Sequence, residues 1–588
     1  MSYRAPQDDL LFAMRMAAGG AFEAGGIYAD LADGVAEATL AEAAKFAEGS
    51  LLPLDKIGDR VGAKFSDGVV TTALGWREAY AQWIEGGWNA LAAAPEHGGL
   101  GLPILLNAAL TEIWNAANMA FALCPLLGFG AIEAIEAHAS EALKETYLAK
   151  LISGEWTATM NLTEPQAGSD LAAVRTRAEP VGDGSYRLFG QKIFITYGEH
   201  DLSDNIVHLV LARLPDAPAG TRGISLFLAP KFLPDEGGAF TQPNDLRCAG
   251  IEHKLGVHGS PTCAMVFGDE GGAVGYLIGE ANKGLACMFT MMNNARLCVG
   301  VQGVAIAERA MQGAVAFARE RRQGRAHGAA ETSAIIEHPD VARMLLTMAS
   351  YTAAARAICC ETAAALDLAR RAGDASRANE AEERAGLLTP VAKAFSTDIG
   401  NEVASLGVQV FGGMGFIEET GAAQLMRDVR IAAIYEGTNG IQAIDLVMRK
   451  LRLSGGGALR REIDDMRVIV RDAAATGDAS FGAMADRARE AVEALGAASD
   501  HMLRAIDPRP QDALAGATPY LRLFGLARGA TLLLKGALVA QRDNDAAERR
   551  IALARFFSEN LAVAAPGLAR AVIHGAGSVI AARAALGE

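Results

Sequence analysis

The chain has 588 residues and a formal net charge of −15 at pH 7. It is too long for one hydrophobic core, which predicts roughly three or four structural units. The acidic balance argues against non-specific nucleic-acid binding, because that requires a basic surface. Seven cysteines without metal-ligand or redox spacing indicate a reducing compartment and no metal site.

The N-terminus lacks the basic and apolar regions of a secretory signal and carries aspartates at positions 8 and 9. We expect a cytoplasmic protein without a membrane-spanning helix. Residues from about 35 to 155 are alanine-rich with helical spacing. Three segments, Tyr186–Thr196, Ile206–Arg213 and Ile224–Pro230, are β-branched or aromatic and predict strands. Helical spacing returns at about residue 280, and Leu453–Gly457 predicts a linker before a last helical segment.

The loop Thr163–Asp170 (TEPQAGSD) precedes the predicted strands. Its hydroxyl groups and the backbone N–H groups near Gly168 and Ser169 suit the polar edge of a cofactor or a phosphate. The alternative is an ordinary turn that leads into a sheet.

Three further motifs each allow two interpretations. In GQKIFIT, Phe194 and Thr196 share a strand face, so they could stack on and bond a planar ring, or be a core and a surface residue. The glycine-rich Gln409–Phe416 (QVFGGMGF) could admit a ligand or simply end a helix. The basic stretch Arg319–Arg325 could bind a pyrophosphate or complement a helix dipole.

The segment Ile434–Asn439 places one carboxylate, Glu436, after an uncharged and mostly apolar run. A carboxylate in poor solvent has a raised pKa and can act as a base near neutral pH. The alternative is an exposed glutamate at a helix start, with Thr438 or Asn439 as the cap.

In order and spacing, these motifs and IYEGTNGIQ (residues 434–442) resemble the acyl-CoA dehydrogenase family over about residues 40–450. Tyr3–Pro6, Met292–Leu297 and the tail beyond residue 450 are similar to a longer bacterial branch of that family. The resemblance implies a mainly helical α+β fold. Its domains are an N-terminal extension (1–35), a helical domain (36–158), a middle β-barrel-like domain (159–278), a four-helix-bundle-like catalytic domain (279–452) and an additional helical domain (458–588).

The resemblance also implies FAD as the cofactor and an acyl-CoA thioester as the substrate. Glu436 matches the base that takes the α proton, while flavin N5 takes a hydride from the β carbon to give the trans-2-enoyl product. Ala295 stands where another branch of the family has its base, which favours Glu436 here. The implied flavin contacts are Thr163, Ser169, Phe194 and Thr196. The implied contacts with the pyrophosphate and adenosine of a neighbouring subunit's cofactor are Arg321, Gln409, Gly412 and Gly413. Thr438 is a further implied cofactor contact.

Ser169, Arg296, Tyr435 and Gly437 are the implied substrate contacts. Phe194 replaces a common tryptophan, and Gly440 replaces a glutamine that helps to bind adenine in some relatives. The resemblance further implies a homodimer that passes electrons to an electron-transfer flavoprotein. The branch suggests 3-methylmercaptopropionyl-CoA, from dimethylsulfoniopropionate breakdown, or a similar short-to-medium chain as the substrate. The alternatives are a general fatty acyl-CoA dehydrogenase, an acyl-CoA oxidase, a nucleic-acid-associated relative and a membrane-associated very-long-chain enzyme.

Overall fold

The computed structural model describes residues 3–23, 25–543 and 546–587. They form two compact units, which we call the helical unit and the sheet unit. The helical unit comprises Met1–Ala44, Pro103–Ala116 and Arg296–Glu588. The sheet unit comprises Lys45–Leu102 and Ala117–Ala295. Each unit is therefore assembled from segments that are distant in the sequence.

Alanine and leucine, both strong helix formers, dominate the helical segments. In the described residues the α-helices are α1 (Gln7–Ala18), α2 (Val35–Phe46), α3 (Leu52–Val61), α4 (Trp76–Glu85), α5 (Ile104–His138), α6 (Glu141–Ser153), α7 (Gly284–Glu320), α8 (Pro339–Arg371), α9 (Ala375–Phe411), α10 (Ala422–Val429), α11 (Asn439–Met448), α12 (Gly457–Ala474), α13 (Met484–Ala505), α14 (Pro510–Ala515), α15 (Ala517–Asp543), α16 (Ala547–Phe556), α17 (Ala565–His574) and α18 (Ala576–Ala581).

The strands lie in the sheet unit. They are β1 (Lys64–Ser66), β2 (Val69–Thr71), β3 (Trp156–Asn161), β4 (Arg177–Pro180), β5 (Ser185–Thr196), β6 (Asn205–Arg213), β7 (Ile224–Pro230), β8 (Phe232–Pro234), β9 (Phe240–Pro243), β10 (Leu246–Ile251), β11 (Thr262–Phe267) and β12 (Ala273–Ile278). Eight of them form one sheet in the order β10-β11-β5-β12-β7-β6-β3, with β4 paired to both β5 and β6.

The prediction of a mainly helical α+β fold with a middle sheet domain is confirmed. Strands β5, β6 and β7 coincide with the three predicted strands to within one residue. The predicted linker separates α11 from α12, and Ser454, Gly455 and Gly456 have positive φ angles of 47°, 61° and 83°. These angles end the helical backbone at that point.

Two helices, Ile104–His138 and Ala517–Arg542, are long and apolar enough to span a membrane by length and composition alone. The sequence-based expectation of no such helix overlooks the uncharged stretch 113–132 in α5. The most apolar windows of the two helices are 89% and 78% buried inside the protein, and core helices of soluble proteins pass the same test. At Asn118 the φ of −159° and ψ of 90° interrupt α5.

Helix α1, in the predicted N-terminal extension, packs on α8 and α15 within the helical unit. Arg549 Nη1 lies 2.7 Å from Asp9 Oδ1, and the Arg550 guanidinium lies 3.5 Å from the centre of the Phe12 ring. Lys535 Nζ donates a hydrogen bond to the carbonyl of Met16 at 3.0 Å. The first helix and the last part of the chain therefore belong to one packed body.

Candidate active site

The loop Thr163–Asp170 is built around the buried carboxylate of Glu164. Its Oε1 accepts hydrogen bonds from Lys192 Nζ at 2.8 Å and Thr176 Oγ1 at 2.6 Å. Its Oε2 accepts from the backbone N–H of Arg175 at 2.7 Å. Burial by itself would raise the pKa of Glu164, but Lys192 and these hydrogen bonds outweigh it and hold the pKa well below its usual range. The ionised carboxylate thus fixes the loop against β5.

A β-bulge in β5 presents Phe194. The pairing with β11 loses its register between Cys263 and Met265, because β5 carries one extra residue there. Phe194 has a positive φ of 61° and is 57% exposed. Ile195 is buried and Thr196 is half-buried, so the alternation expected of a strand resumes directly after the bulge. A strained backbone that presents an exposed aromatic ring is typical of a ligand site.

The four predicted flavin contacts all belong to the sheet unit. The carbonyl of Thr163 accepts the backbone N–H of Ile193 at 2.9 Å, which places this loop residue beside the bulge at Phe194. Thr163 is half-buried, whereas Ser169 is exposed at the outer end of the loop. An exposed aromatic ring next to hydroxyl groups fits a planar, polar-edged group such as a flavin.

In the helical unit, α7 and α9 run parallel and in close contact. A Cβ atom added to Gly303 would lie 2.3 Å from the carbonyl oxygen of Ser396, so only glycine allows this approach. Near the C-terminal ends of the two helices, Phe317 stacks on Phe411 with ring centroids 4.4 Å apart. The two helices therefore end in the same region.

That shared end carries the predicted pyrophosphate contacts Arg321, Gln409, Gly412 and Gly413, and all four are exposed. Arg321 Nη2 donates to Gln323 Oε1 at 3.2 Å. A Cβ atom added to Gly412 or Gly413 would meet no atom within 4 Å. A guanidinium near open glycine backbone fits phosphate oxygens, so these residues suit the pyrophosphate of FAD.

Glu436 and Gly437 form a turn of two successive left-handed residues, with φ angles of 55° and 84°. Gln442 Nε2 donates to the Glu436 carbonyl at 3.1 Å. Lys393 Nζ donates to the Gly437 carbonyl at 2.9 Å. Buried donors therefore hold a backbone conformation that is strained at a non-glycine residue.

Thr438 is the N-cap of α11, because its Oγ1 accepts the backbone N–H of Ile441 at 3.2 Å. Asn439, the other candidate cap, instead donates its Nδ2 to Asp398 Oδ1 at 2.7 Å. The helix-start interpretation of this segment is thus correct for its local structure. It does not conflict with a role as a base, since Glu436 lies two residues before the cap.

Glu436 is half-buried, and burial raises the pKa of its carboxyl group, with Arg296 and Lys393 partly offsetting the rise. The raised pKa agrees with the sequence-based prediction. The surroundings are nevertheless not uncharged, as the local sequence suggested, because α7 and α9 bring in two cations. Arg296 is 5% exposed, and its Nη1 lies 3.5 Å from Asp445 Oδ2. Burial lowers the pKa of Lys393 to about 7, against the opposing effects of Glu436 and Asp398.

Tyr435 precedes the base and is anchored through its hydroxyl group, which donates to Gln302 Oε1. Gln302 Nε2 in turn donates to Asn115 Oδ1 at 3.1 Å. Burial raises the pKa of Tyr435 above its ordinary value, so the phenol stays neutral. Of the four predicted substrate contacts, Arg296, Tyr435 and Gly437 lie in the helical unit with Glu436, whereas Ser169 belongs to the sheet unit.

Three residues that organise these sites were not predicted, namely Lys192, Lys393 and Gln442. Both lysines are fully buried and stand in apolar stretches, Lys192 in residues 190–195 and Lys393 in residues 391–395. A lysine at an apolar position of a periodic pattern must find partners when it is buried. A lysine in such a pattern is therefore a sequence signal for a buried, paired cation.

Four family models match successive parts of the chain. They describe the acyl-CoA dehydrogenase N-terminal domain at residues 36–155, the middle domain at 159–269, the C-terminal domain at 282–451 and an acetyl-CoA dehydrogenase C-terminal-like domain at 463–583. The chain belongs to the acyl-CoA dehydrogenase family. The enzyme is accordingly an oxidoreductase that acts on acyl-CoA, and FAD is the cofactor of this family.

A 3-methylmercaptopropionyl-CoA dehydrogenase of Ruegeria pomeroyi is 48% identical to the enzyme over 572 residues, with 96% of each chain covered. The broad-specificity linear acyl-CoA dehydrogenase FadE5 of Mycobacterium tuberculosis is 32% identical over 565 residues, with 91% of each chain covered. The crystal structure of Caenorhabditis elegans ACDH-11 in complex with C11-CoA has the same fold, with a TM-score of 0.78 and 19% identity. That match covers 96% of this enzyme and 92% of the other chain.

Proposed function

We propose that this enzyme oxidises an acyl-CoA thioester to the trans-2-enoyl-CoA, with Glu436 as the base for the α proton. The observation that carries the assignment is a half-buried carboxylate with a raised pKa on a strained turn. A raised pKa makes the carboxylate a better match for the weakly acidic α proton. Strained backbone of this kind persists where function requires it.

The α C–H bond breaks and its proton passes to the Glu436 carboxylate, while the β carbon loses a hydride. FAD, held by the residues proposed to bind it, would supply the acceptor for that hydride. The backbone N–H of Glu436 is the proposed donor to the thioester oxygen, where negative charge develops. A donor aimed at developing charge lowers the barrier, because its dipole is already oriented.

The residues proposed to bind the cofactor have separate tasks. The exposed ring of Phe194 would stack on the flavin, while hydroxyl groups bond its edge. The open backbone at Gly412 and Gly413 would admit phosphate oxygens close to the main chain. The full proposed set is Thr163, Ser169, Phe194, Thr196, Arg321, Gln409, Gly412, Gly413 and Thr438.

As substrate we propose 3-methylmercaptopropionyl-CoA or a linear chain of similar length. The 48% identical relative named for that substrate supports this choice, because the similarity extends over 96% of both chains. A thioether sulfur resembles a methylene in size and polarity, so one apolar pocket would accept both. An apolar pocket distinguishes one methylene by only ~1–3 kcal/mol, which predicts overlap with other linear chains.

A broader linear acyl-CoA specificity is the second candidate, and the FadE5 relative supports it. Steady-state kcat/KM for 3-methylmercaptopropionyl-CoA and for saturated acyl-CoA thioesters of increasing length separates the two. A maximum at the thioether and neighbouring short chains supports the first candidate. A flat profile, or a maximum at long chains without turnover of the thioether, supports the second.

We further propose a cytoplasmic homodimer that passes its electrons to an electron-transfer flavoprotein. Exposed apolar residues follow the open glycines, with Met414 53% exposed and Phe416 85% exposed, and a partner subunit would cover them. All seven cysteines lie among the described residues, are buried and form no disulfide, which suits a reducing compartment. Analytical sedimentation and assays with purified electron-transfer flavoprotein, with oxygen as the competing acceptor, test these proposals.

The role of Glu436 is tested by Glu436→Gln, which is nearly isosteric but cannot accept a proton at neutral pH. We expect FAD content and acyl-CoA binding to persist and substrate oxidation to fall by about 10³-fold or more. The matched control is Glu380→Gln, at an exposed position of α9, which should leave oxidation unchanged. Oxidation by Glu436→Gln at the wild-type rate would place the base elsewhere.

A further inference from the structure

Lys393 has no exposed surface, although lysine is almost never fully buried unless it is paired. Its Nζ donates to the Gly437 carbonyl and to Asn439 Oδ1, both at 2.9 Å. The two acceptors flank the cap of α11 and lie one and three residues after Glu436. Lys393 therefore ties α9 directly to the turn that carries the proposed base.

The acceptor Asn439 is itself oriented. Its Nδ2 donates to Asp398 Oδ1 at 2.7 Å and to Thr397 Oγ1 at 3.0 Å, which leaves its Oδ1 for Lys393. Asn439 is the first residue of α11, so the ammonium group lies at the positive end of a helix dipole. A cation is disfavoured there unless nearby anions compensate for it.

Those anions are Glu436 on the turn and Asp398 on α9, while Arg296 of α7 is a second cation facing Lys393. Asp398 is in turn influenced by Arg522 of α15 and by Glu402 of α9. Burial, and to a smaller extent Arg296, lower the pKa of Lys393 to about 7 against the opposing effects of the two anions. Glu436 and Lys393 thus titrate as an interacting pair.

A neutral donor at this position would provide the same two hydrogen bonds without the cost of burying a charge. Only a cation such as Lys393 also exerts an electrostatic effect on the Glu436 carboxylate. A nearby positive charge favours the ionised form of a carboxyl group, and the ionised form is the one that can accept a proton.

We propose that Lys393 is a positioning residue for the reaction, which holds the Glu436 turn through the Gly437 carbonyl and keeps the Glu436 carboxylate ionised by its positive charge. This inference rests on the proposed role of Glu436 as the base. It assigns Lys393 no contact with the reacting atoms.

The test measures exchange of the substrate α proton with D₂O by NMR. FAD-loaded enzyme and butyryl-CoA are mixed without oxygen or an electron acceptor, from about pH 5 to about pH 10. In Lys393→Met and Lys393→Gln, the pH at which exchange becomes half-maximal should rise by about one unit or more, because the carboxylate has lost a cation. Lys393→Arg retains a cation, so its pH of half-maximal exchange should stay near the wild-type value.

Thermal unfolding without substrate gives an independent readout. The pKa of Lys393 is about 7 in the folded enzyme and 10.5 for an ordinary lysine. Between these values the unfolded state binds more protons, so the contribution of Lys393 to stability rises with pH. The unfolding midpoint temperature of the wild type should therefore rise relative to that of Lys393→Met as the pH increases from about 7 to 10.5.

A folded Lys393→Met enzyme with the wild-type pH profile of exchange would overturn the inference. Asn439→Ala separates the two roles of Lys393, because it removes a hydrogen-bond partner but no charge, and it should leave the profile in place. Should Lys393→Met fail to fold, Lys393→Gln carries the comparison with Lys393→Arg. Glu436→Gln should exchange at no pH, and exchange by that variant would instead overturn the proposed function.

Discussion

At the scale of single residues, the backbone at Glu436 and Gly437 shows how the site is held. A left-handed conformation costs a non-glycine residue about 1–2 kcal/mol. At Glu436 that cost persists because Gln442 and Lys393 donate to the two carbonyl groups of the turn. The carboxylate is thereby directed by its main chain as well as by its side-chain rotamer.

We expect Gly437→Ala to reduce both stability and activity. Its φ of 84° strains any other residue, and a Cβ atom would lie 2.7 Å from Gln442 Nε2. The loss should be about 1–2 kcal/mol from the backbone alone, with a further loss from displaced Gln442. Thermal unfolding and α-proton exchange measure the two effects.

Gly455→Ala is the matched control for this prediction. Gly455 has a φ of 61° but no atom within 4 Å of its Cβ position. Gly455→Ala therefore measures the free-energy cost of the left-handed backbone alone, without a steric clash. The control should lose stability and keep activity. Equal activity in the two variants would mean that the turn at Glu436 tolerates displacement.

Phe194 gives a second prediction at this scale. Phe194→Ala should release FAD, because the exposed ring is the proposed stacking surface, while Phe194→Trp should retain it. Phe65→Ala, at another exposed phenylalanine of the sheet unit, is the control. Flavin absorbance after dialysis reports the retained fraction, and full retention by Phe194→Ala would remove this residue from the proposed site.

The sequence identified Glu436 because its motif is local, with one acid after an apolar run. It did not identify Lys393, whose partners lie more than 40 positions away, with a separation of 44 residues for Gly437. Phe194 was assigned to a regular strand, and the bulge that exposes it depends on the register with β11. Local patterns predict residue types, whereas contacts between distant segments require the fold.

At the scale of elements, the contact between α7 and α9 sets the spacing of the proposed site. Gly303 meets the Ser396 carbonyl, and a Cβ atom on Gly400 would lie 2.8 Å from the carbonyl of Gly303. These glycines bring the two backbones together without side chains between them. The same contact determines how closely Arg296 and Lys393 approach the Glu436 turn.

We expect Gly303→Ala to lower the unfolding midpoint, because the added methyl at 2.3 Å must push the backbone of α9 away. Overpacking of this kind costs about 1–3 kcal/mol. Gly386→Ala in α9 is the control, since its Cβ would meet its nearest atoms at 3.6 Å, an ordinary contact. A helical glycine replaced without a clash should raise stability by about 0.5–1 kcal/mol. Changes of the same sign in both variants would contradict this account.

The sequence predicted those strands that carry clear β-branched or aromatic runs. Strand β3 is not among the predicted strands, although its sequence WTATMN alternates apolar and polar residues; all six residues are buried, so its polar side chains do not mark a solvent face. It begins at Trp156, before the predicted start of the middle domain at residue 159. The predicted domain boundaries stay predictions, because the two compact units are interleaved along the chain.

At the scale of the whole molecule, a charge network around the buried Glu361 joins α8 and α9 to α12 and α15. Glu361 Oε2 accepts from Arg384 Nη2 at 2.8 Å, and Glu361 Oε1 accepts from Lys535 Nζ at 2.8 Å. Arg528 Nε lies 2.9 Å from Glu462 Oε1. Burial by itself would raise the pKa of Glu361, but the three cations outweigh it and lower the pKa to about 2.

The pKa of Glu361 is thus below the ordinary value of 4.5, so its contribution to stability is full above pH 4.5. That contribution is lost as the pH falls toward 2. We expect Glu361→Gln to destabilise the enzyme at neutral pH by about 3 kcal/mol, because buried Arg528 and half-buried Arg384 and Lys535 lose their anionic partner. The difference from wild type should shrink as the pH falls through this range in thermal unfolding. A constant difference would show that the carboxylate is not ionised in the fold, and Glu380→Gln should match wild type throughout.

Some contacts of α1 can form only late in synthesis at the ribosome, because their partners lie near residue 550 of the chain. Asp9 is made well before its partner Arg550, which lies 541 positions later. At about 5–20 residues per second, α1 waits roughly half a minute to two minutes for that partner to emerge. Leu10, Met14 and Met16 are buried in the finished fold, where α1 packs on α8 and α15, so their cover is incomplete until α15 has emerged. The nascent chain therefore offers a chaperone this apolar segment, and the helical unit closes only after Arg550 has emerged.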